Sequence, residues 1–139
     1  MSESRTRTKY TYDANGNVTS KSTTLYLTGA TLAWYYSYNS FGELLTSTDP
    51  NGNTTTNTYD THGNLLSTTT PSPDGGTTPG SVTSFTYNTN GTLASITDPL
   101  SNVTTIAYFS SGLIQYIQDV QSHRTTYAYD ARGELHPVI

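Results

Sequence analysis

The sequence predicts an all-β protein, and three observations carry that prediction. Thr is the commonest of the 139 residues, with 29 copies, and Tyr supplies 12 of the aromatic side chains. Both residue types fit the pleated, half-buried surface of a strand. No window shows the 3.6-residue apolar spacing of an amphipathic helix. The third observation is a short phrase, built on tyrosine and glycine, that recurs six times.

The recurring phrase has a regular period. Its glycines are separated by 26, 21, 28, 21 and 21 residues, so the period is 21 with two insertions. Most copies have Asp or Asn directly after the tyrosine, whereas the fifth has Phe109. The predicted structural positions of the phrase are Tyr12, Asp13, Gly16, Tyr38, Asn39, Gly42, Tyr59, Asp60, Gly63, Tyr87, Asn88, Gly91, Tyr108, Gly112, Tyr129, Asp130 and Gly133.

A second turn signal lies between the copies, seven residues after a phrase glycine. Its predicted positions are Asp49, Pro50, Gly52, Asp98, Pro99 and Asp119. Each 21-residue unit therefore has two turns and two short strands, and we interpret each unit as one hairpin. Both insertions fall at this second turn, near residues 20–31 and 71–80. That coincidence indicates a solvent-exposed edge that tolerates extra length.

The residues at the two turns have physical reasons to be there. Asp or Asn at the first position can accept a hydrogen bond from its own downstream backbone, which makes an Asx-turn. A glycine three residues later can adopt a positive φ, where a side chain would clash. We expect Pro50 and Pro99 to end a strand, because proline lacks a donor and forces the preceding residue into an extended conformation.

The alternation within the strands predicts which side chains share a face. Pairs two residues apart, such as Tyr36 with Tyr38 and Ile106 with Tyr108, lie on the same side of a strand. We expect neighbouring hairpins to stack these side chains into ladders and to make the tyrosines core rather than binding surface. Hairpins that cover one another would form one continuous twisted or spiralling sheet over residues 8–135, between tails at 1–7 and 136–139.

Composition excludes several classes of function. The net charge is −4 and residues 22–123 contain no Lys or Arg, which argues against a nucleic-acid partner. The absence of Cys excludes disulfides and thiolate sites. No apolar run is long enough to span a membrane, and the N-terminus lacks the apolar core of a signal peptide. We therefore expect either a cytoplasmic chain or a piece of a larger exported protein, with no cofactor.

The phrase at 21-residue spacing, with Asp49-Pro50-Asn51-Gly52-Asn53 between two copies, resembles the RHS or YD repeat. The resemblance covers about residues 8–135. It implies a long strip of β-hairpins that spirals into a hollow shell, as in bacterial proteins that enclose a C-terminal toxin and in the animal teneurins. The aspartyl autoproteolytic site of the toxin members has no counterpart in this sequence, so we expect no self-cleavage.

Candidate catalytic residues are few. His62 and His123 occupy turn positions where other copies have different residues, and His136 lies near the C-terminus. Turn residues usually serve backbone geometry, so a catalytic triad is the weaker interpretation. Asp60 and Asp130 could in principle form a glycosidase pair, but their recurrence in phase favours a turn role.

Candidate metal and glycan sites also have simpler explanations. The spacing of Asp13-x-Asn15-x-Asn17, repeated at residues 49–53, resembles the start of a calcium loop. Neither copy has the later glycine and glutamate of such a loop, and Asx-turns explain the same residues. Four N-x-Thr sequons permit glycosylation in a secretory setting, and they begin at Asn17, Asn53, Asn90 and Asn102.

Three hypotheses for function remain open from the sequence. The leading one is a non-enzymatic structural module, a segment of a β-shell or surface scaffold in an exported bacterial assembly at the cell surface or outside the cell. The second is a self-assembling filament subunit that pairs with other copies of itself through open hairpin edges. The third is a carbohydrate-binding or adhesion module that uses Trp34 and Tyr35, which we expect to be exposed.

Overall fold

The structure is a computed structural model that describes residues 6–136, and in this range the chain forms strands and no helix. The prediction of an all-β fold is confirmed. The thirteen strands are β1 (Thr6–Tyr12), β2 (Val18–Leu25), β3 (Thr31–Tyr38), β4 (Leu44–Thr48), β5 (Thr54–Tyr59), β6 (Leu65–Thr69), β7 (Val82–Tyr87), β8 (Leu93–Thr97), β9 (Val103–Tyr108), β10 (Ile114–Gln118), β11 (Arg124–Thr126), β12 (Ala128–Tyr129) and β13 (Leu135–His136).

The chain divides into two units, with the boundary between Ser81 and Val82. In the first unit, β1 to β6 follow one another in sheet order as they do in the chain. In the second unit, β7 to β11 do the same, and β12 pairs with β13. All recorded pairs are antiparallel, which confirms the predicted series of hairpins. β1 and β11 each have one neighbouring strand, so the strand order does not close.

The ends of the repeat region differ slightly from the predicted tails. β1 begins at Thr6, inside the predicted tail of residues 1–7, because Thr6 and Arg7 pair with Leu25 and Thr24 of the long strand β2. At the other end, β13 includes His136. The rest of the predicted tails, residues 1–5 and 137–139, lies outside the described residues.

The two insertions have different structures. The first lengthens β2 and β3 to 8 residues each, compared with 5 in β4. The second forms no strand and is organised by Asp74, whose carboxylate accepts hydrogen bonds from the backbone N–H groups of Thr77 and Thr78. The Thr78 hydroxyl also donates to Asp74 at 2.6 Å and is the largest cause of a pKa well below the ordinary value.

A β-bulge follows the first five turns that come after a repeat tyrosine, whereas the sixth, between β12 and β13, keeps an unbroken register. Between β5 and β6, Tyr59 pairs with Leu65 and Thr58 pairs with Ser67, so Leu66 is an extra residue on β6. Pairs that follow a second turn keep an unbroken register. The spacing of the repeat phrase does not predict these bulges. The extra residues in the other hairpins are Thr19, Leu45, Ala94 and Gln115.

The register gives each sheet two chemically different faces. The face that carries the repeat tyrosines is called the tyrosine face here, and the opposite one the hydroxyl face. Next to the bulges, Ser and Thr side chains bond across strands on the hydroxyl face, for example Thr58 with Ser67 at 2.7 Å and Thr86 with Ser95 at 2.6 Å. Such cross-strand pairs add a few tenths of a kcal/mol each, up to about 1 kcal/mol.

Burial is shallower than expected. No side chain among residues 6–136 is fully buried, so the prediction that the tyrosines form a core is wrong in that respect. The repeat tyrosines from Tyr38 onward are half-buried, whereas Tyr12 is 60% exposed. The physical reason is that each unit consists of neighbouring strands in sheets, which leaves water access to both faces.

Candidate functional site

Nine turns in the described residues share one backbone hydrogen-bond pattern. In each, the N–H of the first residue donates to the carbonyl of the fifth, and the N–H of the fourth donates to the carbonyl of the first, at 2.8–3.2 Å. The two kinds of turn distinguished in the sequence are therefore one structure. The tyrosine turns are residues 13–17, 39–43, 60–64, 88–92, 109–113 and 130–134; the second turns are 49–53, 98–102 and 119–123.

The first residue of most turns supplies a side-chain acceptor. Asp60 Oδ1 accepts hydrogen bonds from the backbone N–H groups of His62 at 2.8 Å and Asn64 at 2.9 Å. Asp60 Oδ2 accepts from the Asn64 side-chain amide at 2.9 Å. The predicted Asx-turn bond is thus present, together with an amide bond that the sequence analysis missed. The same three bonds occur at Asp13, Asp49 and Asp98.

These donors stabilise the ionised carboxylates. They hold the pKa values of Asp13, Asp49, Asp60 and Asp98 below the ordinary value of 3.8, and the side-chain amide four residues later is the largest cause at each. Asp119 has a lowered pKa for a related reason, with the backbone N–H of His123 as the largest cause. Each carboxylate is consequently most stable as an anion inside its own turn.

Several turns achieve the same bonding with different residues. In turn 39–43 the donor and acceptor are exchanged, since the Asn39 amide donates to a Glu43 carboxylate oxygen at 2.5 Å. The Asn88 amide donates to the Thr92 hydroxyl at 2.9 Å. Asp130 accepts from the backbone N–H groups of its second and fourth downstream residues. The geometry of the turn, rather than one residue pair, is what recurs.

The histidines have local explanations. His123 occupies the fifth position of its turn, and its Nδ1 lies 3.0 Å from Asp119 Oδ2, where other turns have an asparagine amide. His62 is 84% exposed and its Nδ1 lies 4.0 Å from Asp60 Oδ2. His136 is exposed in β13. None of these contacts brings a nucleophile to an imidazole.

The fourth turn position requires a left-handed backbone. Gly63 has a φ of +86°, and a Cβ placed on it would lie 2.7 Å from Glu43 Oε1 of the neighbouring turn. Glycine at this position therefore avoids both backbone strain and a collision. Two second turns have serine instead, and Ser101 and Ser122 adopt φ values of 65° and 68°.

As expected, β4 and β8 end at Thr48 and Thr97, directly before Asp49-Pro50 and Asp98-Pro99. Pro50 and Pro99 lie inside their turns, at the second position, while the N–H of the preceding aspartate still bonds across the turn. That second position donates no hydrogen bond in the shared pattern, and its φ in a type I turn matches the fixed φ of proline. The prolines consequently favour the turn itself.

The repeat tyrosines connect neighbouring hairpins through their hydroxyl groups. The Tyr59 hydroxyl donates to the Leu44 carbonyl at 3.1 Å, and the Tyr108 hydroxyl donates to the Leu93 carbonyl at 2.9 Å. Both leucines directly precede a bulge residue. A bulge disrupts the regular ladder, so a side-chain donor can satisfy the carbonyl beside it. Each of these two bonds thus joins a hairpin to the bulge of the preceding one.

An aromatic contact joins the fifth tyrosine turn to the tyrosine of the following repeat. The rings of Phe109 and Tyr129 meet edge to face, with centroids 6.3 Å apart and planes at 86°. Phe109 stands where other turns have Asp or Asn, and its turn keeps only the backbone bonds. A cavity of about 520 Å³ lies here, lined among others by both rings, Leu113 and Asp130.

The metal and glycan candidates have structural roles instead. The described residues contain no cluster of three or more His, Asp or Glu side chains that could hold a metal ion. The amides of Asn17, Asn53 and Asn102, three of the four sequon residues, donate to turn carboxylates at 2.8–2.9 Å. A glycan would replace one of the two hydrogens on the nitrogen that makes this bond.

Two basic side chains pack on aromatic rings. Lys21 Nζ lies 4.8 Å from the Trp34 ring centroid, and Trp34 is half-buried, so the expectation of an exposed Trp34 is wrong. Its neighbour Tyr35 is 58% exposed. In the second unit, the Arg124 guanidinium lies 4.3 Å from the Tyr116 ring centroid.

These features can be compared with known proteins. Residues 38–77 match the model of the RHS Repeat family. The predicted resemblance is thereby confirmed for these residues, which lie within the expected range of 8–135. The matched RHS repeat contains the turns at 39–43, 49–53 and 60–64 and reaches into the second insertion. No curated protein matches the chain.

Solved structures of Tc toxin complexes share the fold. The crystal structure of TcdB2-TccC3-Cdc42 matches with a TM-score of 0.76 at 19% identity. A Photorhabdus luminescens Tc holotoxin pore containing a TccC3 variant matches with a TM-score of 0.78 at 21% identity. Each match covers 95% of this chain and 7% of the other chain, so this chain corresponds to a small part of those proteins.

Between residues 6 and 136, no helix is present that has the length and apolarity required to cross a membrane.

Proposed function

We propose that the chain is a non-enzymatic structural segment of an RHS-type β-shell, which contributes hairpins to the wall of a toxin-enclosing, exported bacterial assembly. The observation that carries the proposal is the use of the polar groups. The carboxylates of Asp13, Asp49, Asp60 and Asp98 are each occupied by three donors from the same turn. These carboxylates stabilise the backbone of their own turns, as expected in a scaffold rather than in an active site.

The comparisons support the same proposal. The RHS repeat at residues 38–77 lies in the middle of the chain, and the similar structures are named as Tc toxin complexes. The tyrosine hydroxyl bonds at Tyr59 and Tyr108 tie successive hairpins together at the same point of the repeat. A strip that repeats such a joint can be lengthened unit by unit.

The proposal is tested by combining an activity screen with a folded control. The purified chain and its Asp60→Asn variant are compared on a panel of glycoside, ester and peptide substrates, and circular dichroism confirms that both are folded. We expect no turnover by either protein. Hydrolysis by the parent chain that is lost in the folded variant would contradict a structural role.

Self-assembly is a second candidate, favoured by the single neighbours of β1 and β11. Strands with one open edge can template further strands. Light scattering over a range of concentrations, with electron microscopy of the same samples, tests it. A monomer at the highest concentration, without fibres in the images, would remove this candidate.

Carbohydrate binding is a third candidate, favoured by the 58% exposure of Tyr35. An exposed tyrosine ring can stack on a sugar while its hydroxyl bonds to water or ligand. A glycan array probed with the parent chain and with Tyr35→Ala tests it. Absence of binding to every glycan, or equal binding by both proteins, would exclude a site at Tyr35.

A further inference from the structure

The outer side of β1 is an open sheet edge. β1 pairs with β2 alone among the strands of residues 6–136, and all seven of its residues are exposed. An edge strand presents a row of backbone N–H and C=O groups that can pair with an incoming strand. The backbone alone would accept any extended segment, so the side chains must supply whatever selectivity the edge has.

The exposure of Tyr12 indicates that an incoming strand has a place to pack. Tyr12 occupies the same repeat position as Tyr59 and Tyr108, which are half-buried and donate to carbonyl groups of the preceding hairpin. Tyr12 is 60% exposed and Tyr10 is 46% exposed. A hairpin placed beside β1 would cover both rings in the way that hairpins elsewhere in the chain cover their neighbours.

The charge on β1 is not matched inside its own hairpin. Arg7 and Lys9 lie two residues apart and therefore on one face of the strand. Their cross-strand neighbours on β2 are Thr24 and Ser22, which are uncharged. The one acidic residue of this hairpin, Asp13, already accepts three hydrogen bonds within its turn.

The same charges argue against a second copy of this chain as the incoming partner. The other open strand, β11, also carries a basic residue, Arg124, and this side chain bonds to the neutral Gln118 at 2.6 Å. Joining β11 of one copy to β1 of another would bring like charges together. Like charges directly opposite each other across a strand pair are destabilising.

We propose that the outer edge of β1 binds a β-strand that carries two carboxylates, spaced two residues apart, opposite Arg7 and Lys9. The partner is thus an acidic edge strand of another hairpin, and the two cations select it. This inference rests on the proposed function, since it treats β1 as a joint of a longer hairpin strip.

Three matched peptides test the charge selection with the full chain. The peptides have seven residues and alternate Thr with Glu, with Gln or with Lys. Binding is followed by nitrogen-15 amide shifts of β1 residues at low salt. We expect the Glu peptide to bind roughly tenfold more tightly than the Gln peptide, and the Lys peptide to bind least. At about 1 M salt, where the Debye length is about 3 Å, the three affinities should converge.

A pair of variants separates the two cations from overall charge. Arg7→Gln/Lys9→Gln should abolish the preference for the Glu peptide while retaining binding of the Gln peptide. Arg124→Gln/Arg132→Gln removes the same net charge at the other end of the sequence and should leave the preference intact. Thermal unfolding of each variant verifies that it is folded.

The outcomes distinguish the inference from the proposed function. Equal binding of the Glu and Gln peptides would overturn the charge selection while leaving β1 as a joint. A Glu preference that survives in Arg7→Gln/Lys9→Gln would overturn the assignment to these two residues. Binding of none of the peptides at millimolar concentration would overturn the inference and remove support from the proposed strip as well.

Discussion

The tyrosine turns and the second turns make the same backbone hydrogen bonds with different residues. Glycine holds the left-handed position in all six tyrosine turns, whereas serine does so at Ser101 and Ser122. A bulge follows the first five tyrosine turns, and an unbroken register follows the second turns. The turn itself is therefore common to both ends of a hairpin. What distinguishes the tyrosine end of a hairpin is the bulge and the contact that the next tyrosine makes there.

Acid should break both kinds of turn together, and it should have the largest effect because it acts on several turns at once. The pKa values of Asp13, Asp49, Asp60, Asp98 and Asp119 are lowered in the folded chain. A lowered folded pKa stabilises the fold fully above the ordinary value near 3.8 and loses that stabilisation as pH falls through the folded value. We expect the melting temperature to be level from pH 7 to about 5 and to fall steeply below about 4.

The pH experiment has an internal control. In Asp60→Asn/Asp98→Asn, two of the titrating groups are gone, so the melting temperature should be lower at pH 7 and should fall less between pH 5 and pH 2. An identical acid response in the parent and the variant would contradict the role given to these carboxylates.

Gly63→Val should break a tyrosine turn most severely among single substitutions. The left-handed φ of +86° costs a side-chain-bearing residue about 1–3 kcal/mol, and the new Cβ must also displace Glu43. Urea unfolding measures the loss. Gly91→Val, where no atom lies within 4 Å of the added Cβ, should cost less because strain alone remains.

The neighbouring His62→Ala change serves as a control for position. His62 is 84% exposed, and it is the backbone N–H of this residue that donates to Asp60. We expect its effect to stay within about 0.5 kcal/mol. Equal destabilisation by Gly63→Val and His62→Ala would contradict the account of the turn.

Tyr108→Phe should weaken the connection between a tyrosine and the bulge of the preceding hairpin. It removes the hydroxyl that donates to the Leu93 carbonyl, and a hydrogen bond of this kind contributes about 1 kcal/mol. Tyr59→Phe should cost less, because the Asn57 amide also donates to the Leu44 carbonyl at 3.1 Å. Differential scanning calorimetry can rank the variants. Tyr12→Phe is the matched control and should be neutral, since Tyr12 is 60% exposed.

Ser101→Gly should make a second turn resemble a tyrosine turn and should have the smallest effect. Relief of the left-handed strain is partly offset by the greater backbone freedom of glycine in the unfolded chain, which leaves a gain of roughly 0.5 kcal/mol. Ser95→Gly, in the extended backbone of β8, should be destabilising instead. A loss of stability in Ser101→Gly would mean that the serine side chain has a role beyond tolerating its φ.

The turns and strand order could be predicted from the sequence because both are local. The relations among residues 60–64, or between a strand and its chain neighbour, involve few intervening residues. The turn roles of Asp60 and Gly63 could be predicted on this basis. The hydrogen bond that the Asn64 side-chain amide donates to Asp60 was not predicted. The recurrence of Asn four residues after Asp, at Asn17, Asn53 and Asn102, was the available signal.

The bulges and burial could not be predicted because they depend on register between strands. A shift of one residue exchanges the faces of a strand, and turn chemistry alone does not specify the extra residue at Leu66. One signal for the hydroxyl bonds was present: all six phrases begin with Tyr and none with Phe, although Phe85 replaces Tyr two positions earlier. The burial of the tyrosines was overestimated. Alternation along a strand shows which side chains share a face of the sheet, but it does not show whether other residues cover that face.

The closed hydrogen bonding within five consecutive residues has a consequence for how the chain is made. Each turn can form as soon as its five residues have been synthesised and are available to fold. The following strand then pairs with the strand before it. Such contacts have short sequence separation, and chains dominated by them fold faster than chains with distant pairings. Hairpins can therefore form in the order in which they are synthesised, before the C-terminal residues are available.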